Sequence, residues 1–149
     1  MRTTPVLGAA AVIATTALLA PAGASAAQPV TVSGTFDETR PVAYDTCVAD
    51  PTTTNYPSGT WSVTLNSTAT AKGTFAMELN GEPHVAYTYP GMKQAPGNTS
   101  TSWLVYGKTM AGLLTVTVNG DAMEYRISPY NYGGLSCQSA TFYGLVDHD

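Results

Sequence analysis

From residue 30 onward, apolar and polar side chains alternate almost without a break. A period of two marks a strand with one buried face, and no window carries the spacing of an amphipathic helix. Thr, Val and Tyr fill the runs, and Gly, Pro, Asn and Ser gather between them, as strand and turn chemistry requires. The pattern predicts eight strands, over residues 30–37, 60–66, 70–79, 84–89, 101–106, 112–118, 122–128 and 139–146. The long connections, 38–59 and 90–100, are rich in Pro and Gly.

Parity tests two hairpins. Phe75, Met77 and Leu79 share one face, as do Val85, Tyr87 and Tyr89. These faces coincide only in one of the two possible parities, because a one-residue slip turns every side chain over. A three-residue loop Asn80-Gly81-Glu82 satisfies this, setting Met77 beside Val85, Phe75 beside Tyr87, and Glu78 beside His84 on the outer face. In the second hairpin, Leu114, Val116 and Val118 face inward with Met123, Tyr125 and Ile127. A two-residue Gly120-Asp121 loop, or a four-residue loop starting at Asn119, matches those faces and sets Thr117 opposite Glu124 and Thr115 opposite Arg126.

Sheets with one apolar face close on themselves or pack on a second sheet. The expectation is one all-β domain over residues 27–149, an eight-stranded up-and-down antiparallel barrel in preference to a Greek-key β-sandwich. Cys47 and Cys137, the two cysteines of the chain, support the barrel. In a closed meander the first and last connections emerge at the same end and are neighbours, so a disulfide joins them. Chain-entropy models put closure of a loop of about 90 residues at about 4–5 kcal/mol.

The residues before this domain have a different character. Met1-Arg2 precede an apolar run from Val6 to Ala20, then Pro21 and Ala24-Ser25-Ala26. A charged start, an apolar middle and a small-x-small site make a secretory signal peptide over residues 1–26. Its Ala- and Thr-rich composition points to a bacterial source. The product is then secreted, in a compartment where two thiols pair; an uncleaved anchor is the alternative. Ten acidic residues against six basic ones, and a net charge of −4, argue against nucleic acid or an anionic membrane as partner, since both need clustered Lys and Arg.

Gly59-Thr60-Trp61 resembles the Gly-x-Trp motif of small secreted ligand-binding barrels, the lipocalins and avidins. The resemblance implies a calycin-like barrel that takes a small ligand. It covers three residues, it falls on the second expected strand rather than the first, and it implies no biotin site.

Chemistry is sparse. One end of the barrel gathers Tyr44, Asn55 and Tyr56 from the first connection, Glu82 and His84 from the second, and Lys108 and Met110 from the third. Tyr130, Asn131 and Tyr132 come from the last. Tyrosine pairs a flat apolar face with a hydroxyl on few rotors, which suits recognition. Candidate ligand-binding residues are therefore Tyr44, Tyr56, His84, Tyr130, Asn131 and Tyr132, though tyrosines packed on their own loops would explain the same pattern. Glu78 and His84 read as a solvated cross-strand pair, and Asp37, Glu38, Asp45 and Asp50 as turn residues. His148 sits between two aspartates at the C-terminus without metal-ligand spacing. No catalytic set, metal or cofactor is expected. The function read from the sequence is a secreted, non-enzymatic binding or interaction domain whose partner is a small molecule, a glycan or a protein. The alternatives are an extracellular hydrolase or other enzyme, and a secreted inhibitor or cell-surface protein.

Overall fold

The computed structural model describes residues 28–49, 51–99, 101–109 and 112–148. The expected signal peptide with its cleavage site lies outside them, as do Asp50 and Met110. Among the described residues the chain forms ten strands and no helix. They are β1 (Val30–Phe36), β2 (Ala43–Cys47), β3 (Pro57–Leu65), β4 (Thr70–Leu79), β5 (Glu82–Gln94), β6 (Ser102–Thr109), β7 (Gly112–Asn119), β8 (Ala122–Ser128), β9 (Tyr130–Tyr132) and β10 (Leu135–Val146).

Eight of them close an antiparallel barrel in the order β1-β3-β4-β5-β6-β7-β8-β10, sealed by β1 pairing with β10. The expected up-and-down barrel is therefore the fold. Its interior is filled. Trp61, Phe75, Trp103, Val116, Tyr125 and Phe142 are each at most 2% exposed, and burying a large apolar side chain stabilises by about 1.5–3 kcal/mol. Neither tryptophan lines an open calyx. Trp61 lies at the closing seam, where its Nε1–H donates to the carbonyls of Thr35 and Leu145, each at 3.2 Å. Gly34 lets the strands meet there: a Cβ at that position would collide with the Leu145 carbonyl and the Trp61 ring.

The two further strands correct the sequence reading. The alternating pattern leaves both cysteines in connections, yet both lie on strands. β10 is long enough to carry a partner beyond the barrel on each side. β9 continues β8 along it in the same register, interrupted at Pro129, which has no N–H to donate. Leu135 pairs with Tyr132 across Gly133-Gly134, whose φ values of 59° and 84° make the two-residue turn that glycine tolerates best. On the other side β2 pairs with β10, with Cys47 directly opposite Cys137, and the two form the disulfide. Arg126 crosses the outside of this ribbon, donating to Ser139 Oγ at 3.0 Å and lying 3.8 Å from Asp45.

The two hairpins tested by parity differ in outcome. β7 and β8 pair without a break across Gly120-Asp121, with Thr117 opposite Glu124 and Thr115 opposite Arg126 as expected. β4 and β5 keep Met77 opposite Val85 and Phe75 opposite Tyr87, but the ladder is interrupted twice. The turn is the two-residue Asn80-Gly81, with φ of 51° and 83°, rather than three residues. Glu78 consequently pairs with Pro83, and His84 is left over as a bulge. A further irregularity, at the other end of the ladder, sets Pro90 and Gly91 against Lys72. β5 also runs on to Gln94, into the expected 90–100 loop.

Candidate functional site

The site lies at the disulfide end of the barrel and is built by those irregularities. Among the described residues β5 pairs with β6 at Lys93↔Tyr106 and Gln94↔Val105 and nowhere else. From the Pro90-Gly91 bulge to the hairpin tip, β5 makes no ladder pair with β6 among the described residues. Bulges bend a strand and re-aim its side chains. The bulge beside the Asn80-Gly81 turn aims His84 inward, away from the outer face where the alternation sets it next to Glu78. Its ring centroid lies 3.9 Å from that of Tyr132, edge to face, 6.0 Å from Phe142 and 6.1 Å from Tyr130.

A cleft of about 260 Å³ opens where the hairpin tip meets the β2–β10–β9 ribbon. Tyr44 from β2, Asn55 from the following connection, Glu82 and His84 from β5, and Tyr130 and Tyr132 from β9 all line it. A polar chain runs along its base. Asn80 Nδ2 donates to Asn55 Oδ1 at 3.0 Å, and Asn55 Nδ2 donates to the Tyr44 hydroxyl at 2.8 Å. The Tyr44 and Tyr130 rings lie 5.7 Å apart, and the Tyr130 hydroxyl bonds His84 Nε2 at 3.0 Å. His84 Nδ1 is buried without a hydrogen-bond partner among the described residues.

Burial decides the protonation states. It lowers the His84 pKa to about 4, so the imidazole is neutral near pH 7. It raises the phenols of Tyr44 and Tyr130, which stay protonated. A general base works best with a pKa near the operating pH, and none of these groups is tuned that way.

Behind the His84–Tyr130 contact lies a smaller recess walled by Tyr87, Tyr125 and Ile127. The Tyr125 hydroxyl is buried beside Tyr89 and makes no well-formed hydrogen bond among the described residues. Tyr87 is on the inward face as expected, opposite Phe75 of β4, yet 43% exposed; among the described residues β5 has no ladder partner in β6 there.

Of the six candidate binding residues, four converge on the cleft: Tyr44, His84, Tyr130 and Tyr132. Two do not. Tyr56 is 41% exposed, with its backbone tied to Asn80. Asn131 borders only the inner recess. Tyr130 lines the cleft but is only 4% exposed, its ring packed against Phe142 and its hydroxyl bonded to His84. The alternation marks Tyr87, Tyr89 and Tyr125 as core residues alone, and the signal that could have set them apart is Pro90-Gly91, a break inside an otherwise alternating run. His148 bonds Asp121 at 2.7 Å, and among the described residues no group of three or more His, Cys, Asp or Glu is placed to hold a metal.

Comparison with protein-family profiles, with curated proteins and with solved structures finds no match. Nothing in these comparisons ties the barrel to the lipocalins or avidins, and the resemblance remains that of Gly59-Thr60-Trp61. That motif lies on β3, the second strand of the barrel.

Proposed function

We propose that the protein is an exported, non-enzymatic binding domain whose site is the rim cleft rather than the barrel interior. The observation that carries this reading is convergence. Side chains from three separated segments, around residues 44–55, 79–84 and 130–135, meet on one concavity over a rigid, disulfide-pinned scaffold. Aromatic and hydrogen-bonding groups on such a scaffold are the usual makings of a recognition site. Their protonation states, a neutral imidazole and protonated phenols, suit binding better than proton transfer. Export rests on the leader-like residues 1–26 and is compatible with the disulfide. The lipocalin- and avidin-like resemblance fits a binding barrel, but the filled core moves the ligand from the interior to the rim.

A second reading has its own observation. Val48 is 89% exposed, Tyr56 41% and Tyr132 50%, all at the disulfide end, and exposed apolar side chains at one end fit a protein partner. Mixed small-fragment binding followed by amide chemical shifts separates the readings. Shifts confined to residues around 82–84 and 130–135 support a small-ligand cleft. A fragment set that leaves those amides unmoved overturns it in favour of the protein partner. Intact mass of the exported product tests the leader, with a start at Ala27 expected.

A further inference from the structure

We propose that the rim cleft holds one uncharged sugar ring, the terminal residue of a neutral glycan, stacked on Tyr132 and hydrogen-bonded by Asn55 and Glu82. This rests on the binding reading above and names the ligand class. Four features of the cleft carry it.

Size comes first. The cleft, at about 260 Å³, falls just below the roughly 300–1,000 Å³ of pockets that enclose drug-sized ligands. It suits a single ring with the rest of the molecule outside.

Charge comes second. Among the described residues, Glu82 is the one carboxylate in its lining, and the lining has no Lys or Arg. An anionic ligand would meet Glu82 with nothing to neutralise either charge.

The third feature is how the rings sit. Tyr44 against Tyr130, His84 against Tyr130 and His84 against Tyr132 lie 5.7, 6.1 and 3.9 Å apart. The Tyr44, His84 and Tyr130 rings are largely spent on one another, so they form a wall instead of a cage around an ammonium group. Tyr132 stands at the open end of that wall, 50% exposed.

The fourth feature is the polar rim. Thr52, Thr53, Asn55 and Glu82 line the same cleft as the rings. An amide nitrogen carries two protons, and Asn55 gives one of them to Tyr44, which leaves the other for a ligand oxygen. A carboxylate accepts two hydroxyl protons at once. A purely apolar ligand would strip water from these groups and return no hydrogen bonds. A sugar ring has C–H groups on one face for the tyrosine and hydroxyls around its edge for the rest.

The test titrates the mature protein, followed by amide chemical shifts, with methyl glucoside, methyl mannoside, methyl galactoside and N-acetylglucosamine in turn. Choline, glucose 6-phosphate and indole serve as the cationic, anionic and apolar counterparts. At least one neutral sugar should saturate amides around residues 82–84 and 130–135 with a dissociation constant on the order of 1 mM. Tyr132→Ala should weaken it by about tenfold or more with an unchanged melting temperature, as expected for an aromatic anchor. Glu82→Gln should also weaken it, and Tyr56→Ala should leave it alone. If indole, choline or glucose 6-phosphate binds at these amides and no neutral sugar does, the sugar assignment is wrong while the binding reading stands. If no probe moves them, both fall. Sugar binding that survives Tyr132→Ala undiminished overturns the proposed stacking.

Discussion

The β7–β8 and β4–β5 hairpins start from the same rule and end with different jobs. In the first, each inward residue meets an inward residue from Leu114↔Ile127 to Val118↔Met123, with no shift of register. Leu114, Val116, Val118, Met123 and Tyr125 are all at most 2% exposed. The second keeps the same alternation through its middle but carries an irregularity near each end. One bulge swings His84 into the cleft. The other lies where the described β5–β6 pairing ends, and beyond it Tyr87 is 43% exposed while Tyr89 stays half-buried against Phe75. The unbroken hairpin makes scaffold. The interrupted one makes a concavity, because a side chain leaves the alternating pattern only where the ladder is broken.

The sharpest way to break this comparison is Val116→Asp. It buries a carboxylate at a position 0% exposed, with a cost of about 4 kcal/mol or more, and the domain should be unfolded by circular dichroism at room temperature. A folded variant would mean that the regular hairpin is not the scaffold.

Removing the disulfide by Cys47→Ser with Cys137→Ser should cost up to about 4 kcal/mol in urea unfolding. The cleft amides should shift before those of β7–β8, since the bond ties β2 to β10 beside the cleft. Uniform loss in both regions would show that the ribbon and the barrel fold as a single unit.

Tyr130→Ala should lower stability by about 3 kcal/mol, as for other buried aromatics. Tyr130→Phe should cost about 1 kcal/mol, because it removes only the hydroxyl bonded to His84. Tyr132→Ala should hardly change the melting temperature. Equal losses for Tyr130→Ala and Tyr132→Ala would erase the distinction between the core ring and the exposed one.

A smaller effect follows from His84. Its folded pKa, about 4, is below the ordinary 6.5. The folded protein therefore binds fewer protons than the unfolded chain between those values, and stability falls as pH drops from 6.5 towards 4. With half of the residue near solvent, the loss should be about 1–2 kcal/mol. Urea titrations at pH 7 and pH 4.5 should show it in the native protein and not in His84→Gln. Asp37 is held below its ordinary 3.8 by the Thr39 hydroxyl and backbone N–H, so its contribution is lost only at lower pH and stays out of this window. An unchanged pH dependence in His84→Gln would place His84 outside the interior.

The smallest effect belongs to the outer face of the regular hairpin. Glu124→Ala should stay within about 0.5 kcal/mol of the native protein. A larger loss would mean that the outer face of β8 is covered.

Alternation alone told where the eight barrel strands run, which face is buried and that the β7–β8 turn includes Gly120-Asp121, because a period of two is a local property; β2 and β9 escaped it. Thr115, Thr117, Glu124 and Arg126 could be placed across from one another from that pattern alone. The tertiary structure decided what depends on a neighbour. That Asn80-Gly81 makes a two-residue turn, and so leaves His84 without a partner strand residue, depends on how β4 and β5 slide along one another. That Pro129 interrupts a strand instead of ending it depends on β10 running past to hold β9 in register. Tyr44 and Tyr132 show the same limit. Far apart in the chain, they share a cleft only because β2 and β9 flank one long strand. Side-chain period is written along the chain, but bulges and shared neighbours arise between strands, where no local pattern reaches.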